Sequence, residues 1–123
     1  MRFLVVDNEP DTLLLVRANV RAWGHECLIA DTAAEAIALL QNPETQPEVL
    51  LLDVAMPVTD GPTLLRQARA EGVEPPIVLL VSAVAPEDLQ VIAEELGVAW
   101  LSKPFTAERF REKMAEVTEG AVP

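Results

Sequence analysis

Residues 3–11 read FLVVDNEPD: four apolar side chains, then Asp7, Asn8 and Glu9, then Pro10 and Asp11. A short run that is apolar at every position suits a strand covered on both faces. Pro10 suits the first turn of a helix, where its missing N–H costs no hydrogen bond. The stretch predicts a buried strand that carries oxygen-bearing side chains on its own C-terminal tip and then turns into a helix.

Working outward, the same unit recurs until the chain holds five strands and five helices. After RFLVV, the apolar set Leu13, Val16, Val20 and Trp23 keeps helical spacing, and Gly24 stands where a left-handed helix end is expected. HECLIA (25–30) reads as strand two. Thr32 and Glu35 have capping-box spacing ahead of the helix AAEAIALLQ, and Asn42, Pro43 and Pro47 mark the following loop. VLLL (49–52) is strand three and ends on Asp53. The loop VAMPVTDG leads to a helix capped by Asp60 that runs to about Gly72. IVLLV (77–81) ends on Ser82, and Pro86 opens a helix that stops at Gly97. VAWL (98–101) ends on Ser102, Lys103 and Pro104. Thr106 caps the last helix, ERFREKMAEV, which carries a Phe110, Met114, Val117 stripe. Alternation of this kind predicts an α/β domain with a parallel sheet, right-handed crossovers and helices on both faces. The single domain is expected over residues 1–120, with 121–123 a tail or the start of a linker.

Composition narrows the function. Of 123 residues, half are apolar, and the net charge is −11. The charge argues against nucleic-acid binding by this domain, which needs Lys and Arg to displace counterions. It suits a domain that meets cations or basic partners. No apolar run reaches the ~20 residues that span a bilayer, and Met1 leads straight into a strand, so no signal peptide, no membrane and a cytoplasmic location are expected. The single cysteine, Cys27, is expected to be a buried apolar residue. His25 is expected at the surface, and Trp23 in core or helix-end packing.

In a doubly wound sheet, ligands bind beyond the carboxyl ends of the strands. Asp7, Asn8 and Glu9 follow strand one, Asp53 strand three, Ser82 strand four and Lys103 strand five. Singly, each has an ordinary reading: an Asp caps or turns, a Ser sits in a loop, a Lys is solvated. Four strand ends carrying these types together point to one rim and to phosphoryl transfer. Oxygen ligands suit Mg²⁺. A carboxylate can attack phosphorus. A metal and a lysine neutralise the phosphoryl oxygens, and a hydroxyl donates to one of them.

The segments VVDNE, LLLDVAMPVTDG, LLVSA and LSKPF, in this order, resemble the receiver domain of two-component response regulators over essentially the whole chain. The resemblance implies a flavodoxin-like (βα)5 fold with strand order 2-1-3-4-5. It implies that Asp53 is the phosphoacceptor and that Mg²⁺ (or Mn²⁺) is held by Asp7, Asn8, Asp53 and the backbone carbonyl of Ala55. It further implies that Ser82 and Lys103 bind the phosphoryl group, that Trp100 is the switch aromatic, and that the Lys103–Pro104 peptide is cis. The implied partners are a sensor histidine kinase or histidine phosphotransfer protein and a downstream protein target. Output, and a possible dimer, would use the face of helix four, strand five and helix five. Moving such a switch from 1:99 to 99:1 takes about 5.5 kcal/mol of differential stabilisation.

Three positions depart from the pattern. Asn8 stands where an acid is usual, which removes one charge from the metal site and predicts weaker Mg²⁺ binding, with Glu9 near enough to compensate in part. Ala55 offers only its backbone, and Trp100 is bulkier than the usual aromatic. Asn8 also supports an alternative: a pseudo-receiver that acts as an interaction module without phosphorylation. An aspartyl-phosphate phosphatase would want a second acid two residues after the nucleophile, where this chain has Ala55, so a switch and not an enzyme is expected. Strand five lacks the acidic pair that many DNA-binding members carry before the aromatic. The acids of helix four (Glu87, Asp88, Glu94, Glu95) and the cations of helix five (Arg109, Arg111, Lys113) are expected to be solvated faces.

Overall fold

Ten elements alternate along the chain in a computed structural model that describes residues 1–121. They are β1 (Arg2–Val6), α1 (Pro10–Ala22), β2 (Glu26–Ala30), α2 (Ala33–Gln41), β3 (Val49–Leu52), α3 (Gly61–Ala70), β4 (Ile77–Ser82), α4 (Pro86–Leu96), β5 (Ala99–Ser102) and α5 (Ala107–Val117). The sheet is parallel in the order β2-β1-β3-β4-β5, as the resemblance implies. Residues 122 and 123, the end of the expected tail, lie outside the described residues. Among the described residues no helix is long and apolar enough to cross a membrane.

The period of two along each strand sorts the core into two halves. Phe3, Val5, Val49, Leu51, Leu79, Val81 and Leu101 face α1 and α5, meeting Leu13, Val16, Val20, Phe110 and Met114. Leu4, Val6, Leu50, Leu52, Val78 and Leu80 face α2, α3 and α4, meeting Ala36, Leu40, Leu64, Leu65, Leu89 and Ala93. Every residue of β3 is fully buried, as its place at the centre of the sheet demands. Trp23 stacks on Phe110 with ring centroids 5.3 Å apart, and Phe105 leans on the same ring at 5.7 Å. The end of α1 is thus pinned to α5 by aromatic contacts that add to the area they bury.

Local chemistry sets the boundaries. The Thr32, Asp60 and Thr106 side chains accept hydrogen bonds from the backbone N–H groups of Glu35, Thr63 and Arg109, each three residues ahead. Gly24 adopts φ 88° directly after the cap residue Trp23, which lets the chain reverse into β2. Three strands differ by one residue at one or both ends from the sequence reading. β2 begins at Glu26, β4 extends through Ser82, and β5 runs from Ala99 to Ser102.

His25 therefore precedes β2 and does not begin it, and it is not simply a surface residue. It is half-buried, its Nδ1 lies 2.8 Å from the Met1 amine, and its ring tilts against Phe3. Cys27 is buried, and that burial pushes its thiol up to about 11. The acids of α4 are exposed, and within α5 Arg109 and Lys113 reach Glu112 and Glu116 at 3.8 and 3.5 Å.

The β3–α3 loop contains a costly backbone. Val58 has φ 69°, a left-handed conformation that a β-branched side chain resists, and it is fully exposed. The Val58 side chain buries nothing that would offset the strain. Val58→Gly is expected to stabilise the protein by about 1 kcal/mol, read as a higher urea midpoint at unchanged slope. A lower midpoint would show that the loop is not strained at this residue.

Candidate functional site

The C-terminal ends of β1, β3, β4 and β5 carry Asp7, Asp53, Ser82 and Lys103 to one rim of the sheet. Asp7, Asp53 and Ser82 are almost fully buried, at 1%, 4% and 1% exposure. The register explains the convergence. Val6 pairs with Leu52, and the Asp53 N–H donates to the Val6 carbonyl at 3.0 Å, so Asp7 and Asp53 leave adjacent strands at the same level. Ser82 pairs with Ser102, and the Lys103 N–H donates to the Ser82 carbonyl at 2.8 Å. The Lys103–Pro104 peptide that follows is cis.

Gly61 is the packing condition for this arrangement. It is buried, and its N–H donates to the Val54 carbonyl at 3.0 Å. A Cβ at this position would overlap the Asp53 carbonyl oxygen and come within 3.2 Å of Leu52. The first turn of α3 can lie against the end of β3 only because residue 61 has no side chain.

Lys103 organises the charges. Its side chain is 9% exposed, and Nζ donates to Asp7 Oδ2 at 2.6 Å and to Glu9 Oε1 at 3.1 Å, with Asp53 Oδ2 at 4.0 Å. The Asp7 carboxylate also accepts the Glu9 N–H at 2.9 Å, which folds residue 9 back over the strand end. Burial works against the Lys103 charge, but the hydrogen bonds to Asp7 and Glu9 together with the Asp53 and Asp7 charges outweigh it and hold the ammonium above its ordinary range. Asp53 sits above the ordinary carboxylate range. Burial and the nearby Asp7 charge raise it, against the opposing pull of Lys103, the Ser82 hydroxyl and the Ala55 backbone.

Beside this cluster opens a cleft of about 370 Å³ lined by Asn8, Glu9, Asp53, Ala55, Ser82, Ala83 and Val84. Asn8 and Ala55 are exposed at its edge. Among the described residues no three His, Cys, Asp or Glu side chains are arranged to hold a metal. A cation here would have to draw on the Asn8 amide oxygen, the Ala55 carbonyl and water besides Asp7 and Asp53. That donor set is all oxygen and suits a hard divalent ion that keeps part of its hydration. The electrostatics point the same way: three carboxylates surround one ammonium, leaving two negative charges to balance, and the Asp7 charge adds to burial in raising Asp53.

The structure brings Asn8, Asp53, Ala55 and Ser82 around one cleft, with Asp7 and Lys103 beside it. Trp100 lies apart. It is half-buried, packs against the α2–α3–α4 half of the core, and lines a separate groove with Ser102, Pro104, Phe105, Arg109 and Lys113. Sequence reasoning placed Glu9 beside the acid pair but missed its bond to Lys103, and it missed the part Gly61 plays under Asp53. The Gly that opens the first helix after the strand-end acid, directly behind the cap Asp60, was the available signal for the latter.

Comparison with known proteins agrees with this geometry. Residues 3–115 match the response regulator receiver domain family. Transcriptional regulatory protein PrrA of Mycobacterium leprae is 37% identical over 105 residues, covering 85% of this chain and 44% of that protein. The alkaline phosphatase synthesis transcriptional regulatory protein PhoP of Bacillus subtilis is 30% identical, covering 94% and 48%. The chain thus spans about half the length of these curated relatives. Among solved structures, chemotaxis response regulator CheY4 of Vibrio cholerae superposes with a TM-score of 0.83 at 26% identity, covering 94% of this chain and 97% of that one. A CheY-like receiver domain protein from Methanospirillum hungatei gives 0.82 at 26% identity, covering 97% and 94%. Sequence, topology and rim chemistry agree: the chain belongs to the response regulator receiver domain family.

Proposed function

We propose that Asp53 accepts a phosphoryl group from a phosphohistidine of a sensor kinase or phosphotransfer protein, and that the resulting aspartyl-phosphate switches a signalling surface. The observation that supports this most directly is Asp53 itself: a buried carboxylate at a strand tip, 4.0 Å from a lysine, bordering an open polar cleft. An Asp53 carboxylate oxygen attacks phosphorus, and the bond to the histidine nitrogen breaks with its electron pair staying on that nitrogen. Lys103 supplies positive charge to the phosphoryl oxygens, and Ser82 supplies a hydroxyl from the next strand end. Asp7, Asn8, Asp53 and the Ala55 carbonyl would hold Mg²⁺, which when bound adds charge neutralisation and orientation.

The switch passes from Ser82 through β4 and β5 to Trp100 and the α4–β5–α5 surface, where a protein target docks or a second copy pairs. The reaction takes place in the cytoplasm, and the domain acts as a switch whose only chemistry is on its own aspartate. Asn8 gives the phosphorylation-independent reading its one specific support, since the usual acid is absent from a residue lining the cleft.

Incubation with Mg²⁺ and acetyl phosphate, followed by intact mass, tests the proposal. The parent should gain one phosphoryl group and Asp53→Asn none. A folded parent that gains nothing from acetyl phosphate or from phosphorylated kinases would favour the interaction-module reading.

A further inference from the structure

Lys103 has two short anionic contacts, and neither is to Asp53. Asp7 and Glu9 hold Nζ at 2.6 and 3.1 Å, while Asp53 stands at 4.0 Å. Glu9 is unusually free for such a partner. Its side chain is 57% exposed and reaches a lysine that is 9% exposed, 94 residues away in sequence. Glu9 lines both the Asp53 cleft and a second cavity of about 340 Å³ formed with Thr12, Leu15, Ala83, Lys103 and Phe105. It therefore stands on the ridge between the two, over the lysine.

We propose that Glu9 is a positioning residue of this site: it supplies, through Lys103, the negative charge that Asn8 withholds, and it parks the lysine away from Asp53 until a phosphoryl group arrives. The inference rests on the phosphorylation reading given above. With Glu9 counted, the three carboxylates exceed the one ammonium by two charges, the balance a divalent cation requires. Without it, Asp7 and Asp53 exceed Lys103 by only one. Glu9 acts on the lysine and not on the metal, and with Asp7 it draws the lysine off Asp53. When phosphoryl oxygens reach Asp53, Lys103 leaves Glu9 for them, and the exposed Glu9 swings into water at little cost.

Lys103 and Lys113 are the only lysines in the chain, so the side-chain ammonium signals can be assigned by NMR without crowding. In metal-free protein, Glu9→Gln should shift the Lys103 signal and leave Lys113 in place. The same variant should bind Mg²⁺ about fivefold more weakly by calorimetry, the scale of an ion pair with one exposed partner. Adding Asn8→Asp to Glu9→Gln should restore the affinity by returning a charge to the site, while the Lys103 signal is the readout that a merely structural role of Glu9 would not move. Phosphoryl gain on the parent, measured alongside, tests the underlying reading separately. An unmoved Lys103 signal, or Mg²⁺ affinity unchanged in Glu9→Gln, overturns the proposal even if Asp53 is phosphorylated. A moved signal and weakened affinity in a protein that takes no phosphoryl group overturns the functional reading and leaves the ion-pair role standing.

Discussion

Gly61→Ala is expected to lower the stability of the folded protein by about 3 kcal/mol, the upper end of what an overpacked methyl costs. The added carbon has no place to go. It overlaps the Asp53 carbonyl oxygen, which is backbone, at the end of a strand that is buried along its whole length. Either α3 backs away and opens the core around Leu64 and Leu65, or the Asp53 backbone moves. Movement of about 1 Å at a reacting group is worth roughly 100-fold in rate, so phosphoryl acceptance should fall steeply as well. Gly72→Ala is the control. Its φ is 71° but nothing lies within 4 Å of the added carbon, so only the left-handed strain is charged, about 1 kcal/mol. Urea denaturation of the two variants decides the matter. Equal losses would mean that α3 does not approach β3 as closely as described.

Lys103→Met should cost about 3 kcal/mol at neutral pH without divalent ions, because it strands buried Asp7 beside buried Asp53 with no cation between them. The loss has a defined pH dependence. Asp53 already titrates above its ordinary value through burial and the Asp7 charge. A carboxyl raised in the folded state favours the fold while protonated, and that contribution is lost as pH rises through the raised value. Removing Lys103 raises it further, so the deficit of the variant should shrink as pH falls into the carboxylate range. By the same sign, Asp53→Asn should gain stability over the parent as pH climbs toward neutral, by about 1 kcal/mol. Mg²⁺ should recover part of the Lys103→Met deficit by binding the folded state. Denaturation midpoints at acidic and neutral pH provide the check, and a deficit that does not change with pH would remove the electrostatic explanation.

Much of this site was readable along the chain because the information is local. A strand covered on both faces writes itself as VLLL, and the residue that follows must stand at the rim. Asp7, Asp53, Ser82 and Lys103 were therefore placed by adjacency alone. Caps behaved in the same way, since Thr32, Asp60 and Thr106 bond to N–H groups three residues ahead. What stayed hidden depends on distances across the sheet. Glu9 meets Lys103 only because β1 and β5 end on one rim and because the Glu9 N–H turns back onto Asp7. His25 looked solvated because nothing near it in sequence is its partner, which is the amine of Met1. The strain at Val58 leaves no mark in the sequence, because a valine gives no sign of a left-handed backbone. The one-residue disagreements at β2, β4 and β5 reflect hydrogen-bond pairing at strand ends, which apolar patterning does not encode.

The division of the core by the sheet has a consequence for how such a domain can diversify. Among the described residues, the buried apolar side chains of α1 and α5 belong to one half of the core and those of α2, α3 and α4 to the other, with the backbone of five strands between them. Substitutions in separate clusters without shared neighbours combine additively. One side can therefore be rewritten for a new correspondent while the other keeps its old one. The sheet is a firewall as much as a scaffold, and the two sides meet around it: at the rim, through Asp53 and Lys103, and at the β5 edge, where Trp100 shares a groove with Phe105, Arg109 and Lys113.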